Sequence, residues 1–251
     1  MAILELQAVS RYFGGVRAVD GLDLRVDAGQ IFGLIGPNGS GKSTTVNLIC
    51  GLFSLTSGAV FFDGNNLEKL ATHLRLQAGV ARTFQNIRLF GQLTVWQNLW
   101  VAQNSPADCA RHGFFARWLG GQAGALQQIL PLLEFSGLAH KRDELAANLS
   151  FGEQRRLELA RAMAAKPKLL LLDEPAAGMN SEEIGQLRER ILSLRGQGVT
   201  ILLVEHVMEL VMGVTDRIAV LNFGQKIAEG TPAEVQADPA VRKAYLGGEA
   251  A

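Results

Sequence analysis

The sequence predicts an α/β fold in which a mainly parallel sheet is flanked by helices. Short apolar runs of strand length alternate with segments of helical periodicity, an order typical of parallel strands joined by helical crossovers. The 251 residues are 48% hydrophobic, which is enough apolar sequence for one large core. The predicted strands are Ile3–Val9, Leu22–Val26, Ile31–Ile35, Val60–Asp63, Val80–Thr83, Leu169–Asp173, Val199–Val204 and Arg217–Asn222.

A helical insertion interrupts this alternation. After Leu93 helical segments predominate and few runs have the pattern of a strand. We therefore predict a single domain over residues 1–251, with a helical subdomain inserted at approximately 93–165 and a C-terminal tail at 224–251.

Charge and cysteine content exclude several classes of protein. Lys plus Arg and Asp plus Glu number 24 each, so bulk charge gives no attraction for nucleic acid or anionic lipid. Cys50 and Cys109 form no CxxC pair, which argues against a zinc site or a disulfide framework and favours a reduced, cytosolic setting. We expect neither a signal peptide nor a membrane span, because no apolar run approaches the roughly 20 residues that a spanning helix needs.

The strongest chemical signal is GPNGSGKS, Gly36–Ser43, which directly follows the apolar run IFGLI. It fills the G-x-x-x-x-G-K-[ST] template of a phosphate-binding loop between a strand and a helix. The glycines let the backbone approach phosphate oxygens, and the helix that we expect to open at about Gly41 directs free N–H groups at them. The predicted nucleotide-binding residues here are Gly36, Pro37, Asn38, Gly39, Ser40, Gly41, Lys42, Ser43 and Thr44.

A second signal, KLLLLDEP, ends an apolar strand in two adjacent carboxylates. Successive side chains on a strand point to opposite faces, so the two groups are expected to divide the work. Asp173 is expected on the Mg²⁺ side, and Glu174 is expected to polarise the attacking water. The alternative is a pair of solvated carboxylates at a strand end.

A third stretch, LSFGEQRR, has the pattern of a capping box that starts a helix. Ser150 is the predicted N-cap and Glu153 the residue that reaches back, with the helix running from about Glu153 to Ala165. Three arginines of this predicted helix are expected to lie on its solvated face: Arg155, Arg156 and Arg161.

The order of these motifs resembles that of the ATP-binding cassette (ABC) family, and the resemblance covers nearly the whole chain. Gly36–Ser43 is similar to its phosphate loop, LSFGE to its signature and LLLLDE to its second Walker motif. Gln85 in RTFQN is similar to its Q-loop glutamine, and His206 in LLVEH to its switch histidine. The resemblance implies an ATPase with a P-loop NTPase core, an antiparallel β part near the N-terminus, and ATP and Mg²⁺ as cofactors.

The same resemblance implies a role for each site residue. Catalytic roles fall to Lys42, Glu174 and His206, and Mg²⁺ ligation to Ser43, Gln85 and Asp173. In this family the nucleotide lies between two cassettes packed head to tail. Ser150 and Gly152 are therefore implied to approach the γ-phosphate held by a partner cassette.

Some positions leave alternatives open or depart from the family pattern. Phe13 lies where the family carries an aromatic ring that stacks on adenine, and neighbouring Tyr12 is the alternative. Phe151 and Glu153 depart from the commoner LSGGQ signature. Asn180 replaces a frequent Asp, and it also has the spacing of an N-cap. The chain lacks the N-K-x-D guanine motif, which favours ATP over GTP.

Within the family, the chain is similar to cassettes of bacterial importers for branched-chain amino acids. The stretches that carry this likeness include RTFQNIRLFGQLTVWQNL, LSFGEQRRLELARAM and LNFGQKIAEGTPAEV, together with the insertion Val101–Gly121. Cassettes for urea or short amides look similar. The alternative to a transporter subunit is a different class of function, that of a soluble ABC ATPase that acts on DNA or ribosomes.

An importer cassette implies several partners. These are transmembrane permease subunits, a second cassette that is a paralogue or a copy of this chain, and indirectly a solute-binding protein, with no nucleic acid. The implied location is peripheral, on the cytoplasmic face of the bacterial inner membrane. The apolar segment Phe84–Trp96 is the predicted docking groove for a short helix of the permease.

Overall fold

Two β-sheets and their flanking helices make up the structure, a computed structural model that describes residues 1–103 and 121–246. Cys109 and most of the predicted insertion Val101–Gly121 lie outside the described residues. The strands are β1 Ala2–Phe13, β2 Val16–Asp27, β3 Ile31–Ile35, β4 Ser57–Phe62, β5 Asn65–Asn66, β6 Val80–Arg82, β7 Leu169–Asp173, β8 Thr200–Val204, β9 Arg217–Asn222 and β10 Gln225–Gly230. The helices are Lys42–Ile49, Thr72–Ala78, Val95–Gln103, Gly121–Ser136, Phe151–Met163, Ser181–Gly196, Met208–Val214, Pro232–Ala237 and Pro239–Leu246, with 3₁₀ turns at Ala139–Lys141 and Ala146–Asn148.

The larger sheet has the strand order β10-β9-β3-β8-β7-β6 and is parallel except for β10, which pairs antiparallel with β9. Every residue of β3, β7 and β8 is buried, as expected for parallel strands covered on both faces. The predicted bounds of β3, β7 and β9 are confirmed. Those of β6 and β8 were each one residue too long.

The smaller sheet, β2-β1-β4-β5, is antiparallel, as the family resemblance implied. β1 and β2 extend well beyond the predicted apolar cores, because their pairing continues through exposed residues as far as Phe13 and Val16. The predicted strand Val60–Asp63 ended one residue too late. Asp63 has φ +50° and begins the turn that follows β4.

The two faces of the larger sheet pack against different layers. One face, including Phe32 and Leu202, packs against the smaller sheet and the helix Lys42–Ile49. The other face, including Leu170 and Leu203, packs against the helix Ser181–Gly196. Both layers exclude water from the strands, so the polar chemistry is restricted to the strand ends.

The predicted helical insertion has a core of its own. Val95, Leu99, Ile129 and Leu133 cluster with apolar residues of the helix Phe151–Met163, hereafter the signature helix. In the same helix Leu159 packs into the core of the larger sheet. The signature helix therefore belongs to both layers and joins them.

The segment predicted as a C-terminal tail begins with ordered structure. β10 was missed because its residues are mostly polar, and two helices follow it. Val235 and Val241 from these helices pack against Ile35 and Val220 of the larger sheet. Within residues 1–103 and 121–246, no helix combines the length and hydropathy needed to cross a membrane.

The central strand β8 gives a direct test of this packing. Leu203 is fully buried, whereas Leu192 on the helix Ser181–Gly196 is 36% exposed. Leu203→Ala should lower the free energy of unfolding by about 2–5 kcal/mol, because it leaves a cavity in a close-packed core. The matched control Leu192→Ala should cost less than about 1 kcal/mol. Urea denaturation measures both values, and equal losses would contradict the layer arrangement.

Candidate active site

The carboxyl ends of β3, β7 and β8 meet at one edge of the larger sheet. Parallel pairing places Asp173 of β7 opposite Val204 of β8, and Leu34 of β3 opposite the same residue. The turns that follow these strands carry the phosphate loop Gly36–Ser43, then Glu174, then His206. The structure therefore brings the phosphate loop together with two groups, Glu174 and His206, that lie more than a hundred residues further along the chain.

The phosphate loop needs glycine at both of its ends. Gly36 has φ +151° and Gly41 has φ +107°. A Cβ on Gly36 would lie 2.1 Å from the carbonyl oxygen of Leu221, and one on Gly41 would lie 2.4 Å from that of Ala18. Both positions combine a left-handed backbone with close contact to a neighbouring strand, so substitution would displace the loop.

The loop ends in a helix whose N-terminus faces a cavity. The helix begins at Lys42, as predicted, and among the described residues no side chain caps it. The cavity, hereafter the phosphate cavity, has a volume of about 290 Å³ and is lined by residues 38–44 with Val16–Ala18, Glu174 and Phe223. Uncapped N–H groups and the positive end of the helix dipole favour an anion there.

Lys42 is held against the loop itself. Its buried ammonium donates to the carbonyl oxygens of Gly36 at 2.7 Å and Pro37 at 2.9 Å. Burial lowers the pKa of Lys42, and the charges of Glu174 and Asp173 oppose that shift. A phosphate group in the cavity would supply the anionic partner that this ammonium lacks.

Asp173 forms a buried ion pair that the sequence analysis did not anticipate. Its Oδ2 accepts from Arg82 Nη2 at 2.6 Å, and Arg82 also donates to Asn47 Oδ1 at 2.6 Å. Arg82 lies on β6, the parallel neighbour of β7. The arginine of RTFQN could have indicated this ion pair, because an arginine at the end of a buried strand needs an anionic partner.

The oxygen donors near Asp173 fit a magnesium ion. Carboxylate, hydroxyl and phosphate oxygens are the ligands that Mg²⁺ prefers, and Asp173 and Ser43 supply the first two. The buried hydroxyl of Ser40 in the same loop has no hydrogen-bond partner in the described part of the chain. Within residues 1–103 and 121–246, no group of three His, Cys, Asp or Glu side chains could hold a metal.

Glu174 is held by its neighbours in an unfavourable backbone conformation. It has φ +48°, and its N–H donates to the carbonyl oxygen of Val204 at 2.8 Å. Its Oε2 accepts from Gln85 Nε2 at 2.7 Å and lies 3.9 Å from His206 Nδ1. Such strain costs on the order of 1–3 kcal/mol and is characteristic of functional sites. The predicted Gln85, Glu174 and His206 are thus brought together.

Glu205 orders the turn that presents His206, and the sequence analysis missed it. This carboxylate is fully buried. It accepts from the backbone N–H groups of Ala176 at 2.7 Å, His206 at 2.8 Å and Val207 at 3.1 Å. The turns after β7 and β8 are therefore fastened to each other by one side chain. A charged residue directly after the buried run ILLV was the signal available in the sequence.

The predicted capping box at the signature helix is confirmed. Ser150 Oγ accepts from the Glu153 N–H at 3.4 Å, and the Ser150 N–H donates to Glu153 Oε2 at 2.9 Å. The helix begins at Phe151, two residues earlier than predicted. Of the described residues, those lining the phosphate cavity do not include Ser150 or Gly152.

The carboxylate of Glu153 is neutralised within the chain. Lys141 Nζ lies 3.0 Å from its Oε1. Burial alone raises the pKa of Glu153, but hydrogen bonds from Lys141 and Ser150 outweigh it and lower that pKa to about 2. This departure from the LSGGQ pattern therefore serves the helix cap. The second capping box, at Asn180 and Glu183, is also present.

The prediction that Arg155 lies on a solvated face is wrong. It is buried and donates to the backbone carbonyl oxygens of Phe84 at 2.8 Å and Gln85 at 2.5 Å. Helical spacing alone did not reveal this, because the segment that contacts Arg155 is seventy residues away. Arg156 and Arg161 are partly buried.

Two candidates for the adenine-stacking ring differ in their surroundings. Tyr12 Oη donates to Asp20 at 2.5 Å, and this bond, with those from Arg17 and Gln225, lowers the pKa of Asp20. The ring of Phe13 is 40% exposed and meets Phe53 edge to face at 5.3 Å. Arg11 Cζ lies 4.5 Å from the centroid of the Phe13 ring, and Phe13 remains the predicted stacking residue. Phe223, missed in the sequence, is an exposed aromatic at the rim of the phosphate cavity.

A groove of about 560 Å³ lies between the larger sheet and the helical subdomain. Phe84 and Phe90 line it, as predicted for the segment Phe84–Trp96, together with Leu52 and Val101. Trp96 departs from that prediction, because it packs against the core of the helical subdomain.

Comparison with known proteins gives a consistent result over the whole chain. The profile of the ABC transporter family matches residues 19–177, and that described as branched-chain amino acid ATP-binding cassette transporter matches residues 225–251. The chain is 41% identical to the high-affinity branched-chain amino acid transport ATP-binding protein BraF of Pseudomonas aeruginosa and 42% identical to LivG of Escherichia coli. In both comparisons 98% of each chain is covered.

Solved structures agree with these relatives. A nucleotide-free ATP-binding cassette from an ABC transporter has a TM-score of 0.85 at 30% identity, covering 98% of this chain and 99% of the other. An ATP-binding cassette in its ADP conformation has a TM-score of 0.86 at 32% identity, with the same coverage.

The capping box at Ser150 and Glu153 predicts a pH-dependent stability. A carboxylate whose pKa is lowered on folding increases the free energy of unfolding. This contribution is complete above the pKa that the group has in the unfolded chain, near 4.5, and it is lost as the pH falls toward 2. Glu153→Gln should therefore destabilise the protein by on the order of 1–3 kcal/mol at neutral pH, with the difference shrinking below about pH 4.5.

Urea denaturation at a series of pH values measures this difference. Lys141→Met is the control, since removing the partner cation should flatten the same pH dependence. A Glu153→Gln effect that stays constant across the range would show that the carboxylate is not held as described.

Proposed function

The chain belongs to the ABC transporter family, and we propose that it is the ATP-hydrolysing subunit of an importer for branched-chain amino acids. The observation that carries the proposal is the shared edge at which the phosphate loop, Glu174 and His206 meet. The solute class is supported by the relatives, which are named for branched-chain amino acid transport, and by the match over residues 225–251.

The phosphate cavity binds the triphosphate of ATP through backbone N–H groups of residues 38–44 and the ammonium of Lys42. Ser43 and Asp173 hold Mg²⁺, which neutralises charge that develops on the phosphates when it is bound. Phe13 stacks on the adenine. The strand–loop–helix geometry supports this arrangement because the N–H groups and Lys42 converge on one cavity.

Glu174 polarises the attacking water, and His206 contacts the γ-phosphate and that water. Both side chains reach the cavity edge from adjacent turns that Glu205 fastens together. Gln85 donates to one oxygen of Glu174, and the ionised carboxylate keeps further acceptor positions for the water. Gln85 is also one of the residues that would hold Mg²⁺ when it is bound.

The site of one chain is incomplete without a second cassette. The signature helix starts with an exposed N-cap, Ser150, followed by the buried Gly152, and neither residue lines the phosphate cavity of its own chain. We propose that this helix start contacts the γ-phosphate of a head-to-tail partner, which is a paralogue or a second copy. Capping leaves the remaining N–H groups of the first turn free for the anion.

The groove lined by Phe84 and Phe90 receives a short helix of one permease subunit. Its apolar lining, exposed in this chain, fits the nonpolar face of such a helix. The cassette is thereby peripheral to the cytoplasmic face of the inner membrane, and a solute-binding protein acts on the assembly only through the permease.

Purification of the tagged chain from detergent-solubilised membranes tests this function. Integral membrane subunits and a second cassette should copurify, and the reconstituted assembly should hydrolyse ATP faster with a leucine-loaded binding protein. Tight association with ribosomes or DNA, without membrane subunits, would overturn the proposal.

Glu174→Gln should separate binding from hydrolysis in that assembly. The substitution keeps the phosphate cavity but removes the proton acceptor, so ATP affinity should stay within about threefold while hydrolysis falls by at least about 100-fold. Lys42→Ala is the contrasting variant, since it should weaken ATP binding itself. Normal turnover by Glu174→Gln would show that another group activates the water.

Phe13→Ala should weaken ATP binding by about 10-fold or more, because stacking of a base on an aromatic ring contributes about 1–3 kcal/mol. Tyr12→Phe removes only the hydroxyl that binds Asp20 and should leave the affinity within about twofold. Calorimetric titration with ATP measures both affinities. An unchanged affinity in Phe13→Ala would rule out this ring.

A further inference from the structure

A buried ion pair lies on the inner side of the signature helix. Arg155 and Glu158 are one helical turn apart, with Arg155 Nη1 3.2 Å from Glu158 Oε2, and each side chain is only 6% exposed. Burying two charges is unfavourable unless further hydrogen bonds satisfy their remaining donors and acceptors. The identity of those additional partners therefore indicates what the pair does.

The additional partners are backbone groups of residues 84–88, hereafter the Q loop. Arg155 donates to the carbonyl oxygens of Phe84 at 2.8 Å and Gln85 at 2.5 Å. Glu158 Oε1 accepts from the N–H groups of Phe84 at 3.4 Å and Arg88 at 3.2 Å. Arg161 of the same helix donates to the carbonyl oxygen of Arg88. The signature helix thus binds both donors and acceptors of the Q-loop backbone.

In the proposed assembly, the Q loop and the start of the signature helix act on different nucleotides. Gln85 lies on the Q loop and hydrogen-bonds to Glu174 of its own site. Ser150 caps the same signature helix five residues before Arg155 and is proposed to contact the partner's nucleotide. Arg155 and Glu158, which connect the Q loop to the signature helix, therefore lie between the two nucleotide sites.

We infer that Arg155 and Glu158 form a clamp that makes the Q loop and the signature helix move as one unit, so that the state of one nucleotide site is transmitted to the other. The inference rests on the proposed function, because it assigns Gln85 and Ser150 to two different sites. Arg155 and Glu158 are positioning residues. The phosphate cavity is lined by other residues, so the clamp acts on coupling and leaves ATP affinity unchanged.

Packing explains why the clamp must be polar. The signature helix is anchored in the helical subdomain by Leu157 and Ala160, whereas the Q loop follows β6 of the larger sheet. An irregular loop has backbone groups that no sheet or helix satisfies, and these require hydrogen-bonding partners when buried. Arg155 and Glu158 supply them and tie the loop to the signature helix, while Gln85 connects the same loop to Glu174 at the end of β7.

The test uses the complete transporter with Glu158→Ala, and Glu189→Gln as the control on an exposed face of the helix Ser181–Gly196. Three quantities are measured: ATP affinity, the Hill coefficient of ATP hydrolysis, and the solute transported per ATP hydrolysed. We expect unchanged affinity, a Hill coefficient reduced from about 2 toward about 1, and transport per ATP reduced at least about fivefold. Glu189→Gln should match the wild type in all three.

Arg155→Lys and Glu158→Gln keep the inference testable if Glu158→Ala fails to fold. A lysine retains the charge but donates from a single atom, so it cannot hold both carbonyl oxygens in the same fork geometry. Each variant should show a smaller loss of coupling, while its melting temperature stays near that of the wild type. A purely structural role would instead lower the melting temperature and all activities together.

The possible failures are distinguishable. If the wild-type assembly neither binds nor hydrolyses ATP, the proposed function itself is wrong. If the wild type transports normally and the clamp variants keep its Hill coefficient and its transport per ATP, the clamp inference is overturned while the proposed function stands.

Discussion

The fully buried parallel strands β3, β7 and β8 determine where the chemistry of this chain takes place. Because core layers cover both faces of the strands, polar groups emerge only where the strands end, and parallel pairing places those ends at one edge. The groups that emerge there are already engaged. Lys42 is bound to loop carbonyls, Asp173 to Arg82 and Glu174 to Gln85. Nucleotide binding therefore exchanges existing partners, and it supplies the anion that the Lys42 ammonium lacks.

One chain carries two half-sites of different construction. The phosphate cavity lies on the rigid sheet edge, whereas the serine-capped helix start belongs to a subdomain with its own core. Hydrogen bonds from Arg155 and Glu158 to the Q loop connect the subdomain to Gln85, and so to Glu174. The sheet edge carries the phosphate cavity, and the signature helix, which packs into both cores, carries the second half-site.

The sequence predicted what depends on local pattern and missed what depends on distant contacts. Continuous apolar runs identified β3 and β7, and capping chemistry identified Ser150, because each signal lies within a few residues. The polar strand β10 and the buried Glu205 gave no periodic signal. Arg155 was assigned to solvent because its partners are seventy residues away, and burial there is decided by tertiary packing.

The central claim is that each catalytic site is completed by two polypeptides. The most direct measurement is an experimental structure of the full transporter, trapped with ATP by Glu174→Gln. We expect Ser150 and Gly152 of this chain to lie within hydrogen-bonding distance of the γ-phosphate that the partner cassette binds. A closed, ATP-loaded assembly in which Ser150 contacts no nucleotide, or contacts the nucleotide of its own chain, would show that the sites are not shared.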